Sequence, residues 1–260
     1  MAYSLNPFSA PEGLKDWPPY ELAKRSDVQA TLVAYIQAAG YNLVSTPLLE
    51  YDRVIGPVLP PSIAANAVRL IDDDAVMLLR PDHTVPIARL AGTHLAHETG
   101  PLMLAYSGPI YYRDDAGHCV ERMQLGIEYI GDTDIARADV MILTLLSQCL
   151  AHLKLAYCID VGHPDLGKTH TQMGLPERGR CLSRAPVALQ SVLDQLDDPR
   201  ITGNTSIHDD SRYYTGIMFE AAIASYGGYI ARGGRYDTLL QQFGPARPAI
   251  GFCITLDALV

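Results

Sequence analysis

Residues 106–131, YSGPIYYRDDAGHCVERMQLGIEYIG, read as two strands joined by a polar, glycine-containing loop. Neighbouring side chains of a strand point to opposite faces. In the second half of the stretch this sets Gln124, Gly126 and Glu128 on one face and Met123, Leu125, Ile127 and Tyr129 on the other. The second of these faces is apolar and belongs in a core; the first is a polar floor. In the first half, Tyr111 and Arg113 share a face that excludes Tyr112, and Asp114, Asp115 and Gly117 turn the chain. Antiparallel pairing is expected to set Arg113 beside Gln124 and Glu128. Guanidinium, amide and carboxylate around a glycine gap suit a small zwitterion, whose ammonium and carboxylate each meet a complementary group. A solvated face of an antiparallel sheet carrying a surface ion pair would show the same alternation.

The rest of the chain sets the bounds. With 260 residues, 48% of them hydrophobic, it can bury a large core as one domain or as one domain with an insertion. Twenty basic against twenty-nine acidic side chains give a net charge of −9, and no run of Lys and Arg is interleaved with aromatics, so nucleic acid is not expected as a partner. The opening, MAYSLNPFSAPEGLKDWPP, has neither a basic nor an apolar leader segment, and no uninterrupted apolar run reaches membrane-spanning length, which reads as a cytoplasmic protein with no membrane partner. Five scattered cysteines with no C-x-x-C pair suggest neither a disulfide framework nor a zinc site. No G-x-S-x-G, G-x-G-x-x-G or Walker loop occurs, and the eight histidines do not cluster as ligands.

In chain order, residues 20–39 carry apolar positions at Leu22, Val28, Leu32, Val33 and Ile36, a helical stripe ended by Gly40. Residues 41–51 are β-rich but broken by Pro47, which suits an edge or an interface. Residues 68–71 and 75–79 flank Asp72, Asp73 and Asp74 as a hairpin with an acidic turn. The segment RPDHTVPIAR, 80–89, follows; there Asp82 or Thr84 can cap the next helix or accept hydrogen bonds from a ligand ammonium. Apolar spacing from Ile135 to Leu153 marks a long helix, with a strand expected at 155–161. From 162 to 207 the pattern loosens around one helix near 187–196, as in an insertion or small lobe. Residues 211–220, SRYYTGIMFE, alternate as a strand, and GGRYD at 233–237 is expected to open a helix. His83, His118 and His208 are the histidines nearest the candidate site.

Taken together in one order, several blocks carry a resemblance: APEGLKDWPP at 10–19, LRPDHTVPIAR at 79–89, the 106–131 stretch, RYYTGIMFE at 212–220, GGRYDTLL at 233–240 and AIGFCITLDAL at 249–259. The chain resembles the class II histidyl-tRNA synthetase catalytic-domain family, and most closely its non-synthetase branch, the regulatory subunits of ATP phosphoribosyltransferase. The resemblance implies an α+β fold, the class II aminoacyl-tRNA synthetase-like, mostly antiparallel sheet flanked by helices. It implies a single domain over 1–260 with a shortened insertion at about 163–206, no anticodon-binding domain, and dimerisation through 41–51. It also implies a histidine pocket in which Asp82, Thr84 and Gln124 hold the ammonium, Arg113 the carboxylate, and Glu128 with Tyr214 the imidazole, while Gly233 and Tyr236 form a wall.

Departures from the synthetase pattern separate the branches. Where synthetases carry an arginine in R-G-L-D-Y-Y, this chain reads DDSRYY and places Asp209, with Arg212 two residues before Tyr214. Thr255 and Ala258 stand where synthetases have a glycine and an ATP-binding arginine. The expected function is a regulatory subunit without catalytic residues, cofactor or metal. It would activate the short-form ATP phosphoribosyltransferase catalytic subunit and sense histidine, as a homodimer within a hetero-octamer. The alternative is a synthetase-like enzyme that activates an amino acid with ATP for a carrier other than tRNA.

Overall fold

Two twelve-residue strands, Leu102–Arg113 and Cys119–Ile130, pair antiparallel along their whole length and form the spine of the protein. The computed structural model describes residues 9–169, 177–183, 185–207 and 213–260. In chain order its elements are α1 (Pro19–Ala38), β1 (Asn42–Leu43), β2 (Leu49–Tyr51), α2 (Asp52–Ile55), α3 (Pro61–Ala65), β3 (Arg69–Asp72), β4 (Ala75–Leu79), α4 (Thr84–Thr93), β5 (Leu102–Arg113), β6 (Cys119–Ile130), α5 (Ile135–His152) and β7 (Tyr157–Gly162). There follow α6 (Pro164–Thr169), β8 (Arg178–Gly179), α7 (Val187–Gln195), β9 (Ile201–Asn204), β10 (Met218–Ile223), β11 (Tyr229–Arg235) and β12 (Ala249–Thr255). Among the described residues, nine strands form one sheet in the order β1-β5-β6-β12-β11-β10-β7-β9-β8, and three form a second in the order β2-β4-β3. Among the described strands, only β1 with β5 and β7 with β9 run parallel. The mostly antiparallel α+β architecture is the one the blocks imply.

The apolar face of β6 does what its alternation requires. Leu125, Ile127 and Tyr129 are buried in one cluster with Ala138, Ile142 and Leu146 of α5 and with Leu32 and Ile36 of α1. Leu32 and Ile36 lie four apart, one above the other on the same helix face, and full burial of such side chains is worth about 1.5–3 kcal/mol each. The helix ends ahead of Gly40, whose φ of 96° few other residues adopt. Asp134 caps α5 by accepting from the Arg137 N–H at 3.2 Å. α5 is long and apolar enough to cross a membrane by length and composition alone, yet half of it is buried and packs on the sheet. Arg235 of β11 locks α5 to the sheet, its Nε donating to buried Asp139 at 2.8 Å.

Several local expectations change. The acidic hairpin forms, with Asp72 opposite Ala75 and Asp73 at φ 48°. The described residues between 162 and 207 are tied to the main sheet: β9 pairs with β7, β8 pairs with β9, and Leu189, Val192 and Leu193 of α7 join the main core. The strand expected from 211 begins at Met218. Ahead of it the chain bends over the Arg235 side chain, where a Cβ at Gly216 would lie 2.9 Å from Arg235 Cδ; residues 211 and 212 lie outside the described ones. GGRYD does not open a helix. Gly233 and Gly234 belong to β11, held by hydrogen bonding to β10 and β12, and the next turn of helix is a 3-10 turn at Leu240–Gln242.

Candidate functional site

The register of the sheet arranges its polar face in rows. Leu104, Glu128, Gly251, Gly234 and Met218 lie side by side across β5, β6, β12, β11 and β10. The next row is Tyr106, Gly126, Cys253, Arg232, Glu220 and Asp160, and beyond it Gly108, Gln124 and Thr255. Above these rows is a cavity of about 680 Å³, walled by Asp82, Thr84, Tyr213, Tyr214 and Tyr236 and floored in part by Gln124, Gly234 and Gly251. Small residues make the room. A Cβ on Gly251 would fall 2.0 Å from Glu128 Oε2, and one on Gly234 would fall 2.6 Å from the Tyr214 ring.

The β4–α4 junction supplies the acidic end. Asp82 Oδ1 accepts from the Val85 N–H at 2.8 Å, so Asp82 caps α4 and borders the cavity together. Thr84 Oγ1 donates to Glu128 Oε1 at 2.8 Å, and the Tyr236 hydroxyl donates to Glu128 Oε2. Glu128 is 1% exposed. Burial pushes its carboxyl up to about 8, nearby Asp82 adds to the rise, and the two hydroxyls pull it back. Burial lifts Asp82 to about 6 against the Val85 and Thr84 amides and the charge of Arg80. Two carboxyl groups that resist ionising side by side favour a proton or a cation between them. His83 is not that cation. Its Nε2 lies 3.1 Å from the Gly108 carbonyl, which only accepts, so Nε2 carries the hydrogen. Burial and the charge of Arg80 lower its pKa to about 3, and the neutral ring stacks on Tyr106 at 4.3 Å.

The sequence-derived site is brought together in large part. Asp82, Thr84, Gln124, Tyr214, Gly233 and Tyr236 border the cavity, and Glu128 lies behind its wall. Gly233 borders the cavity beside Gly234: a Cβ on Gly233 would meet the Phe219 ring at 2.6 Å, and Gly234 is the glycine that clears Tyr214. Arg113 is a correction. It pairs with Cys119 rather than with Gln124 or Glu128, its exposed guanidinium donates to the Gly117 carbonyl at 2.9 Å, and the residue next to it, Tyr112, borders the cavity instead. A five-residue loop between the strands sets Gly108 opposite Gln124 and Leu104 opposite Glu128, leaving Arg113 at the hairpin tip and on the other face. His118 also lies out on the hairpin loop, paired with Glu12 at 2.7 Å. His208, Asp209 and Arg212 lie outside the described residues. Thr255 borders the cavity and Ala258 is buried in the last turn.

Sequence reasoning missed two arginines of the cavity, Arg122 and Arg232. Arg232 is neutralised by Glu220 at 3.0 Å. Arg122 could have been found by the parity argument, since it lies two residues before Gln124 on the same strand.

A sequence model of the histidyl-tRNA synthetase family matches residues 13–185 and 175–259. The chain belongs to the histidyl-tRNA synthetase family. Among relatives of this family member, the ATP phosphoribosyltransferase regulatory subunit of Geobacillus thermodenitrificans is 28% identical, with the match covering 100% of this chain and 82% of the relative. That of Rubrobacter xylanophilus is 28% identical over 97% of this chain and 76% of its own. The solved structure of an ATP phosphoribosyltransferase regulatory subunit/histidyl-tRNA synthetase from Bacillus halodurans superposes with a TM-score of 0.80 at 24% identity, covering 97% of this chain and 82% of that one. A histidine–tRNA ligase subunit from Alicyclobacillus acidocaldarius gives 0.78 at 24% identity, over 96% of each chain. These two structures share the histidyl-tRNA synthetase family fold described above.

Proposed function

We propose that this chain is a non-catalytic regulatory subunit that binds histidine and controls the catalytic subunit of ATP phosphoribosyltransferase, the entry to histidine biosynthesis. The observation that carries the ligand is the Asp82–Glu128 pair at the end of the cavity. Among the described residues their hydrogen-bond partners are neutral hydroxyls and amides, so a ligand bearing an ammonium and an imidazole supplies the missing positive charge. The regulatory role draws on the names of the curated relatives and on Thr255 and Ala258 standing where the synthetase pattern has a glycine and a phosphate-facing arginine.

Histidine controls activity only if it binds the active and inactive assemblies differently, and the substrates then shift histidine affinity by the same factor. Coupling of about 1–3 kcal/mol is usual for such effectors. The experiment mixes the purified chain with a short-form catalytic subunit and follows phosphoribosyl-ATP formation with and without histidine. Activity that appears only with this chain, and falls on adding histidine, is the expected result; activity independent of the chain rejects the role.

Assembly as a homodimer within a hetero-octamer is part of the same proposal. The small sheet leaves Leu49, Tyr51 and Leu70 exposed on one face and the cross-strand pair Ile71 and Val76 on the other, with Ile71 84% accessible; neighbouring exposed apolar side chains such as Ile71 and Val76 mark a surface for association. Light scattering of the wild type and of Ile71→Asp tests it: loss of the dimer in the variant supports this face, and an unchanged mass rejects it.

One observation favours a second reading, an amino-acid-activating enzyme. The cavity is several times larger than one amino acid, and Arg122 borders it. Histidine-dependent exchange of pyrophosphate into ATP by the chain alone decides between the two, since robust exchange rejects a purely regulatory subunit.

A further inference from the structure

With Arg113 at the hairpin tip, the carboxylate of a bound amino acid has lost the guanidinium that the family resemblance assigns to it. Arg122 stands on the correct face. It lies opposite Ile110 of β5 and two residues before Gln124, so it leaves β6 on the same side as Gln124 and Glu128, and it borders the cavity. At a rise of about 3.3 Å per residue, its Cα is roughly 7 Å from that of Gln124 and roughly 20 Å from that of Glu128. The cavity is therefore polarised along β6, with carboxyl groups at one end, the Gln124 amide between, and a guanidinium at the other.

Arg122 is also the cavity arginine with donors to spare. Its Nη1 donates to the carbonyl of Glu121 at 3.0 Å, and among the described residues no carboxylate pairs with it. Arg232 is bound to Glu220. Arg80 is buried beneath the sheet junction, its donors spent on the carbonyls of Thr46 and Pro109. A planar guanidinium with free donors is matched in shape and charge by a carboxylate.

We propose that Arg122 binds the α-carboxylate of the amino acid held in this cavity. The inference rests on reading the cavity as an amino-acid site, and places the ligand with its imidazole toward Glu128, its ammonium near Asp82 and Gln124, and its carboxylate toward Arg122. It makes Arg122 the residue that separates amino acids from their amino-alcohol and amine counterparts.

Isothermal titration of the full chain with L-histidine and with L-histidinol, which lacks the carboxylate, tests this. The wild type is expected to bind histidine roughly 10- to 100-fold more tightly, the usual worth of a charge-assisted pair. Arg122→Gln should lose that factor for histidine and leave histidinol within about twofold, while Arg122→Lys should recover part of it. Equal affinity of the wild type for the two ligands overturns the inference without any variant, and so does equal weakening of both by Arg122→Gln. Failure of the wild type to bind either ligand overturns the amino-acid site itself.

Discussion

Thr84 Oγ1 lies 2.8 Å from Glu128 Oε1, tying the first residue of α4 to β6 across 44 positions of sequence. With the Tyr236 hydroxyl on the other oxygen, the carboxyl group is aimed and held from two elements. Glu128→Ala is expected to abolish histidine binding. Thr84→Val, which removes one hydroxyl at nearly constant volume, should weaken it about 5- to 10-fold, the worth of one hydrogen bond of roughly 1 kcal/mol. Calorimetry on both variants checks this, and wild-type affinity in Thr84→Val would show that the hydroxyl does not orient Glu128.

Gly251 faces the same carboxylate from the neighbouring strand. A methyl group there would lie 2.0 Å from Glu128 Oε2 and 2.3 Å from the Ile127 carbonyl oxygen, and the strand backbone cannot withdraw without breaking its pairing. Gly251→Ala should cost about 1–3 kcal/mol or more in urea unfolding and remove histidine binding together with it. A variant as stable as wild type would mean that the sheet yields more easily than its register implies.

Stability should depend on pH in two opposed limbs. The folded chain keeps a proton on Glu128 up to about 8, whereas the unfolded carboxyl loses it near 4.5, so stability falls as pH rises across that window; Asp82 acts in the same direction between 3.8 and about 6. His83 is held neutral down to about 3 but takes up a proton near 6.5 when unfolded, so its contribution is complete above 6.5 and is lost as pH falls toward 3. Urea unfolding from pH 4 to 9.5 should show Glu128→Gln flattening the alkaline limb and leaving the acid limb in place.

The Arg235–Asp139 pair is buried at both ends, and the arginine also donates to Asp237 Oδ1 at 2.9 Å. Asp139→Ala leaves a guanidinium with one carboxylate fewer inside the core and should destabilise the fold by about 3–5 kcal/mol. Thermal unfolding measures it.

Arg113→Gln is the contrasting case. Its guanidinium contacts its own loop, so histidine affinity should stay within about twofold of wild type, a difference of some 0.4 kcal/mol. A large loss in calorimetry would mean that the hairpin tip folds back over the cavity on binding.

The sequence by itself determined the parity of each strand, and parity alone divided β6 into an apolar and a polar face, because successive side chains of an extended chain must alternate. It also determined the stop of α1 at Gly40, the acidic hairpin turn, the capping of α4 and the length of α5, all of them consequences of local sterics and hydrogen bonding. Only the tertiary structure decided which strand positions lie opposite one another. The number of residues in the loop between β5 and β6 sets the register, and a change of one residue exchanges every face; hence Arg113 faces away from Gln124 and Glu128. The same holds for Gly234, whose place against the Tyr214 ring only the packing shows, and for β8 and β9, too short to be read as strands until β7 supplies the hydrogen-bonding edge on which they form.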